Sequence, residues 1–144
     1  MPNLTGQFTG KSDVQHSITL HDIPEHELAL SQFTGPQTAN DGNWKEVNVT
    51  YWGTMDLIQG FGPLRGYFVN EHPNGDRDCG TYEGHISIVN GETILEGSWR
   101  YTHGSGQFAS ISGNGRFKGR MISPTEVEMY WQGNYQIAAG TRAA

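Results

Sequence analysis

Glycine falls inside strand-like stretches of this chain on the same faces that carry its aromatic rings, and that pairing restricts the fold more than any other feature. It is densest in Gly104-Ser-Gly-Gln-Phe108 and Gly113-Asn-Gly-Arg-Phe117, two segments that each read G-x-G-x-Phe. Glycines at such points allow tight turns and kinks, so that a curved sheet can roll up on itself. Gly53, Gly66, Gly84, Gly97, Gly119 and Gly133 also lie within strand candidates. A flat sandwich has little use for them, whereas a small, tightly coiled antiparallel barrel does.

At 144 residues the sequence reads as one domain, 1–144, with 20 Gly and only 17% charged residues. Glycine mixed with aromatics in alternating runs is a β signature rather than one of disorder. The net charge of −6 argues against nucleic acid, which needs a basic surface, and no Lys/Arg cluster points to an anionic membrane. A lone cysteine, Cys79, leaves no intramolecular disulfide. The first residues show neither the basic nor the apolar region of an export signal, and no run approaches the ~18 apolar residues of a membrane span. On that basis Asn3-Leu-Thr5 and Asn48-Val-Thr50 are glycosylation sequons by pattern only, and the expected location is cytoplasmic.

Strand candidates cover 5–10, 14–22, 27–34, 45–59, 64–72, 77–89, 92–103, 114–122 and 125–137. The one short helical candidate, Pro24 to Leu30, reads as a turn or a strand entry. Asn90-Gly91 is the strongest hairpin signal, because both residues tolerate the positive φ of a type I′ turn. Gln7-Phe-Thr-Gly10 recurs as Gln32-Phe-Thr-Gly35, as related hairpins would produce. Eight or so sequential strands with short turns predict an all-β, up-and-down closed antiparallel barrel of the calycin kind.

Residues i and i+2 share a strand face. Leu95, Gly97, Trp99 and Tyr101 therefore lie together, as do Val127, Met129, Trp131, Gly133 and Tyr135. Phe117, Gly119 and Met121 follow the same rule, as do Leu64, Gly66 and Phe68, and Val47, Val49, Tyr51, Gly53, Met55 and Leu57. These faces are expected to point inward, with glycine giving room to neighbouring rings. In 77–89 the glycine phase turns Asp78, Gly80, Tyr82, Gly84, Ile86 and Ile88 inward; the other phase holds Arg77, Cys79, Thr81, Glu83 and His85. The glycine phase is favoured, although a bulge near 76–80 would switch it midway.

Two pairs follow from that choice. Glu83 and His85 share one face; in a cavity they would shuttle protons, and outside it they are a solvated pair. Asp78 and Tyr82 share the other and offer a base and a phenolic donor, or a hydrogen-bonded aspartate at the barrel end. His16, His21, Asp22 and His26 lack metal-ligand spacing, so no metal is expected and the histidines read as solvated. No glycine-rich turn leads from strand into helix, and no nucleophile elbow occurs, so dinucleotide binding and serine hydrolase chemistry are not supported. Pro2 as a prolyl base is a poor alternative, because tautomerases of that kind need helices.

The stretch from Tyr82 to Gly119 resembles the allene oxide cyclase-like barrel superfamily, which includes dirigent proteins. The residues that carry the likeness are Tyr82-Glu-Gly-His85, Gly97-Ser-Trp99, His103-Gly-Ser-Gly-Gln-Phe108 and Gly113-Asn-Gly-Arg-Phe117-Lys-Gly119, continuing through Met129-Tyr-Trp-Gln-Gly133. It covers about the C-terminal half. The resemblance implies an eight-stranded barrel that forms dimers or trimers, with a hydrophobic cavity and chemistry without organic cofactor or metal. Such proteins steer reactive intermediates, as in cyclisation of an unsaturated epoxide or coupling of phenoxy radicals. Their catalytic glutamate has no aligned counterpart here. The Gly-x-Trp pieces at Gly42 and Gly97 are similar to a lipocalin motif, but come too late in the chain.

The leading expectation is a cofactor-independent cyclase or isomerase acting on a hydrophobic small molecule, unsaturated and polyketide- or lipid-like, held in the barrel cavity. Tyr51, Phe68, Trp99, Tyr101, Phe117, Met129, Trp131 and Tyr135 would bind the substrate, and Asp78, Tyr82, Glu83 or His85 would move a proton. A non-catalytic, lipocalin-like carrier is the alternative, and a solidly packed structural oligomer the third.

Overall fold

The computed structural model describes residues 3–44 and 46–137. They form eight strands in one closed sheet: β1 (Asn3–Leu20), β2 (His26–Ala39), β3 (Val47–Ile58), β4 (Gly62–Glu71), β5 (Arg77–Val89), β6 (Glu92–Gly104), β7 (Ile111–Ser123) and β8 (Glu126–Ile137). Every neighbour in space is a neighbour in sequence, and β1 closes the ring against β8 from Asn3 to Lys11. Closure removes the free edges that such a sheet would otherwise expose. Pro2 lies outside the described residues.

Nine strand candidates became eight because 5–10 and 14–22 are one strand. The polar Lys11-Ser-Asp13 stretch reads as a break, but the chain continues through it as a bulge between Ser12 and Val14. Beyond that bulge β1 pairs only with β2, out to the turn at 21–25.

The tight turns gather at one end. Asn90 (φ 51°) and Gly91 (φ 80°) make the expected primed turn, and Gln59 (φ 54°) with Gly60 (φ 84°) makes a second, closed by reciprocal Ile58–Phe61 hydrogen bonds. The opposite end is closed by longer connections carrying two 3-10 turns, Gly42–Trp44 and Gly106–Phe108. Trp44 and Phe108 are fully buried and pack together at 5.3 Å between ring centroids. The two G-x-G-x-Phe segments thus do different work: Phe108 plugs an end, while Phe117 projects from β7 into the lumen. Gly106 (φ 58°) is required in the plug, since a side chain there would run into the Asp76 carboxylate that accepts the Gln107 N–H.

At the tight-turn end His26 Nδ1 meets Asp22 (2.8 Å) and its Nε2 meets Asp56 (2.5 Å). Solvent exposure was expected for this histidine; instead two carboxylates cover it, because the β1–β2 turn folds Asp22 back over it and β3 brings Asp56 alongside. Asp22, then Asp56, raise the His26 pKa above its usual 6.5, and His26 lowers Asp22 below 3.8. The sign follows from linkage. The histidine contribution is complete below pH 6.5 and fades as pH rises through the elevated folded value. The Asp22 contribution is lost as pH falls through its depressed one. The melting-temperature difference between wild type and His26→Gln is therefore expected to be largest near pH 5 and to shrink toward pH 8. A difference that grows with pH contradicts the clamp.

Each hairpin carries a glycine pair at which the two strands press together. Gly53 faces Gly66, Gly84 faces Gly97, and Gly115 faces Gly133. A Cβ added at Gly66, Gly97 or Gly115 would fall 2.6–2.7 Å from the partner Cα and on the carbonyl oxygen beside it. Gly35 repeats the arrangement against Gly10 at 3.0 Å, joining the two Gln-Phe-Thr-Gly copies. These contacts coil the hairpins enough to close a barrel from eight strands.

Candidate functional site

The glycine phase of β5 is the inward one: Asp78, Gly80 and Ile86 are buried, and Tyr82 lines the interior. Glu83 and His85 are exposed on the outside of the wall and take no part in the lumen. The only irregularity nearby lies in β6, where Cys79 pairs with His103 and Gly80 with Tyr101, so β5 keeps its phase.

The lumen is a cavity of about 100 Å³. Of the eight residues expected to bind substrate, Tyr51, Phe68, Trp99, Tyr101, Phe117, Met129 and Trp131 line it. Tyr135 does not: its ring packs on Trp44 at 4.5 Å and its hydroxyl donates to Asp41 (2.9 Å) at the plugged end. Ring and glycine interlock as expected. The Trp99 edge lies 2.6 Å from the positions that Cβ atoms on Gly115 and Gly133 would take, and Trp131 occupies that of Gly6. Rings meet edge to face, as Trp99 does with Trp131 (5.8 Å, 89°), so quadrupoles complement one another.

Three buried polar atoms of lining residues have no hydrogen-bond partner: Gln37 Nε2, Tyr51 hydroxyl and Trp131 Nε1. Two are pure donors, and such atoms are costly to leave unmade. Burial drives Tyr51, Tyr82 and Tyr101 well above the usual tyrosine range, so all three remain protonated donors rather than bases.

Asp78 lies just behind the lumen wall, fully buried, and its partner is not Tyr82. It accepts from Asn70 Nδ2 (2.6 Å) and pairs with His72 Nε2 (2.6 Å). Burial raises its pKa above the usual 3.8, opposed mainly by His72 and Asn70. The Trp44 indole N–H favours the carboxylate too, without completing a hydrogen bond. His72 stacks on Phe108 at 4.2 Å, so the plug seals the pair from solvent. Sequence reading missed His72, which sits in the turn ahead of Pro73-Asn-Gly75. Reading the hairpin outward from that turn places Asn70 opposite Asp78. Cys79 is half-buried with a thiol pKa raised by burial, an unreactive setting. No three His, Cys, Asp or Glu among the described residues are placed to share a metal ion.

No family model matches this sequence, and no curated protein matches it. Solved structures do. The pterocarpan synthase dirigent protein GePTS1 superposes with a TM-score of 0.51 at 13% identity, covering 96% of this chain and 88% of that one. The chain folds as a dirigent-like barrel. A protein of unknown function from the DUF3224 family of Shewanella oneidensis MR-1 is similar at a TM-score of 0.44 and 11% identity, over 92% of this chain and 98% of that one. The likeness to the dirigent-like barrel runs over nearly the whole chain, whereas the sequence motifs reached only the C-terminal half; strands diverge in sequence sooner than in register. The expected likeness to allene oxide cyclases is not shown by these structures. No helix among the described residues is long and apolar enough to cross a membrane.

Proposed function

We propose that the barrel is a receptor for one small, ring-sized neutral molecule bearing a hydrogen-bond acceptor oxygen. The observation that carries this reading is the lumen of about 100 Å³, apolar in its walls, three of whose lining residues, Gln37, Tyr51 and Trp131, carry buried donors without a partner. An engineered apolar cavity of about 150 Å³ accepts benzene, so this smaller one has room for a single small ring at most and none for a polyketide or lipid chain. Binding is favoured over proton-transfer catalysis because the tyrosines are held protonated and Asp78 is sealed behind Asn70 and the plug. Cyclase or isomerase chemistry, of the kind the family resemblance implies, would have to act here by confinement alone.

Tyr51→Phe separates the two roles of an orphan donor. In the empty protein it should raise stability by about 1 kcal/mol, because it removes an unpaired buried hydroxyl. It should also weaken cyclohexanone binding several-fold while leaving cyclohexane binding unchanged, as read by tryptophan fluorescence. Equal loss for both probes, or saturation by neither, overturns the proposal.

A further inference from the structure

Outside the barrel, a groove of about 1030 Å³ crosses the waist from β2 to β7. Its floor is bare backbone at Gly53, Gly66 and Gly115. Its walls carry Arg65, Arg100 and Arg116, on a protein whose net charge is −6.

These arginines are treated differently from others in the same sheet. Arg120 is held by Glu92 (2.9 Å) and Glu128 (3.4 Å), and Arg77 by Glu71 (3.6 Å). Arg65, Arg100 and Arg116 make no ion pair with a described residue. Arg65 does have Glu83 directly across the strand pair. Directly across the strands Arg100 and Arg116 have only neutral neighbours, while Glu83 and Glu96 stand at diagonal positions. Arg100 lies between Thr81 and Asn114, and Arg116 between Ser98 and Gln132.

The β6–β7 register sets Ser98 opposite Arg116 and Arg100 opposite Asn114, so the two guanidinium-bearing residues occupy diagonal corners of one square. Side chains at diagonal positions are within reach of each other, and like charges there repel. The other two corners are a hydroxyl and an amide, both able to donate. Four donor-bearing residues at adjoining positions on one face, two of them cationic forks, are a donor set suited to an oxyanion. Along the same row, Trp52 and Tyr67 stand opposite each other on β3 and β4, both exposed. Tyr67 and Arg100 are two strand spacings apart, about 9–10 Å. An apolar surface therefore stands at that distance from the cationic square.

We propose that this groove binds an amphipathic aromatic carboxylate, with the carboxylate on Arg100 and Arg116 and the ring system against Trp52 and Tyr67. The site is independent of the lumen, whose volume is too small for two fused rings. Inorganic phosphate also supplies an oxyanion, so the test includes both. The probes are naphthalene-2-carboxylate, its neutral amide 2-naphthamide, and inorganic phosphate, titrated into the full chain with amide NMR shifts as readout. The carboxylate should shift residues of β6 and β7 and bind at least tenfold more tightly than either the amide or phosphate. Arg100→Gln with Arg116→Gln, both at exposed positions, should weaken it at least tenfold. Tyr51→Phe should leave it unchanged, which keeps this result separate from the lumen proposal. Equal affinity for carboxylate and amide, undiminished binding by the double variant, or phosphate binding as tightly as the carboxylate overturns the assignment.

Discussion

Replacing Gly97 with valine should abolish cooperative folding: the purified variant is expected to lack a denaturant transition and the near-ultraviolet dichroism of packed tryptophans. Gly97 on β6 faces Gly84 on β5, and a Cβ at Gly97 would overlap the Glu83 carbonyl oxygen and lie 2.6 Å from the Gly84 Cα. Both obstacles are backbone, so no rotamer change relieves them. Overpacking a well-filled core costs about 1–3 kcal/mol when side chains can give way. Here the strands themselves must separate, which breaks ladder hydrogen bonds and opens the wall, so a loss beyond 3 kcal/mol is expected. That is a large share of the roughly 5–15 kcal/mol by which a domain of this kind is stable. A control defines the mechanism. Gly91→Asn adds a side chain where nothing lies within 4 Å, at a positive φ that asparagine tolerates, and should change stability little. If Gly97→Val folds with wild-type stability, the close strand contact at the waist is not real.

That pair was legible in part. The inward faces of β3 to β8 follow from period-two alternation of glycine and rings, and every residue so placed on β6 and β8 lies on the interior side, including Tyr135, which packs on the plug instead of lining the cavity. A stronger signal went unused. Gly53 stands six residues before Gln59 and Gly66 six after Gly60; Gly84 and Gly97 stand at the same distances from Asn90 and Gly91. Symmetry about a turn marks residues that face each other across a hairpin, so both pairs were readable as contacts. The plug was not. Trp44 and Phe108 sit in 3-10 turns with no periodicity, and their burial depends on where the barrel end happens to lie. The Asp78 partner was hidden for the same reason: alternation reports neighbours along one strand and is silent about a histidine arriving from a turn. Outer-wall chemistry at Arg100 and Arg116 needs the register of two strands at once, which a face pattern does not supply.

His72→Phe is expected to cost about 3 kcal/mol at neutral pH, the upper end of the usual penalty when a buried polar group is left without its hydrogen-bond partner. Phenylalanine keeps the stacking on Phe108, so the loss reports the polar contact to Asp78 rather than packing. The pH dependence identifies the stranded group. Burial already lifts the folded pKa of Asp78 above its unfolded value near 3.8, and removal of His72 takes away the strongest opposing influence. The folded variant then binds a proton more tightly than the unfolded chain, so its stability falls as pH rises from about 4 through the new folded value. Its deficit against wild type should therefore be small near pH 4 and reach a plateau above that value. Adding Asp78→Leu should recover most of the loss, because two apolar residues replace the pair without leaving a charge behind. Asn70 lines the lumen and donates to Asp78, so the same variants test whether the sealed pair also sets the shape of the cavity. Cyclohexanone affinity should fall in His72→Phe, where Asn70 loses a fixed acceptor geometry, and a deficit that ignores pH would remove Asp78 from the account altogether.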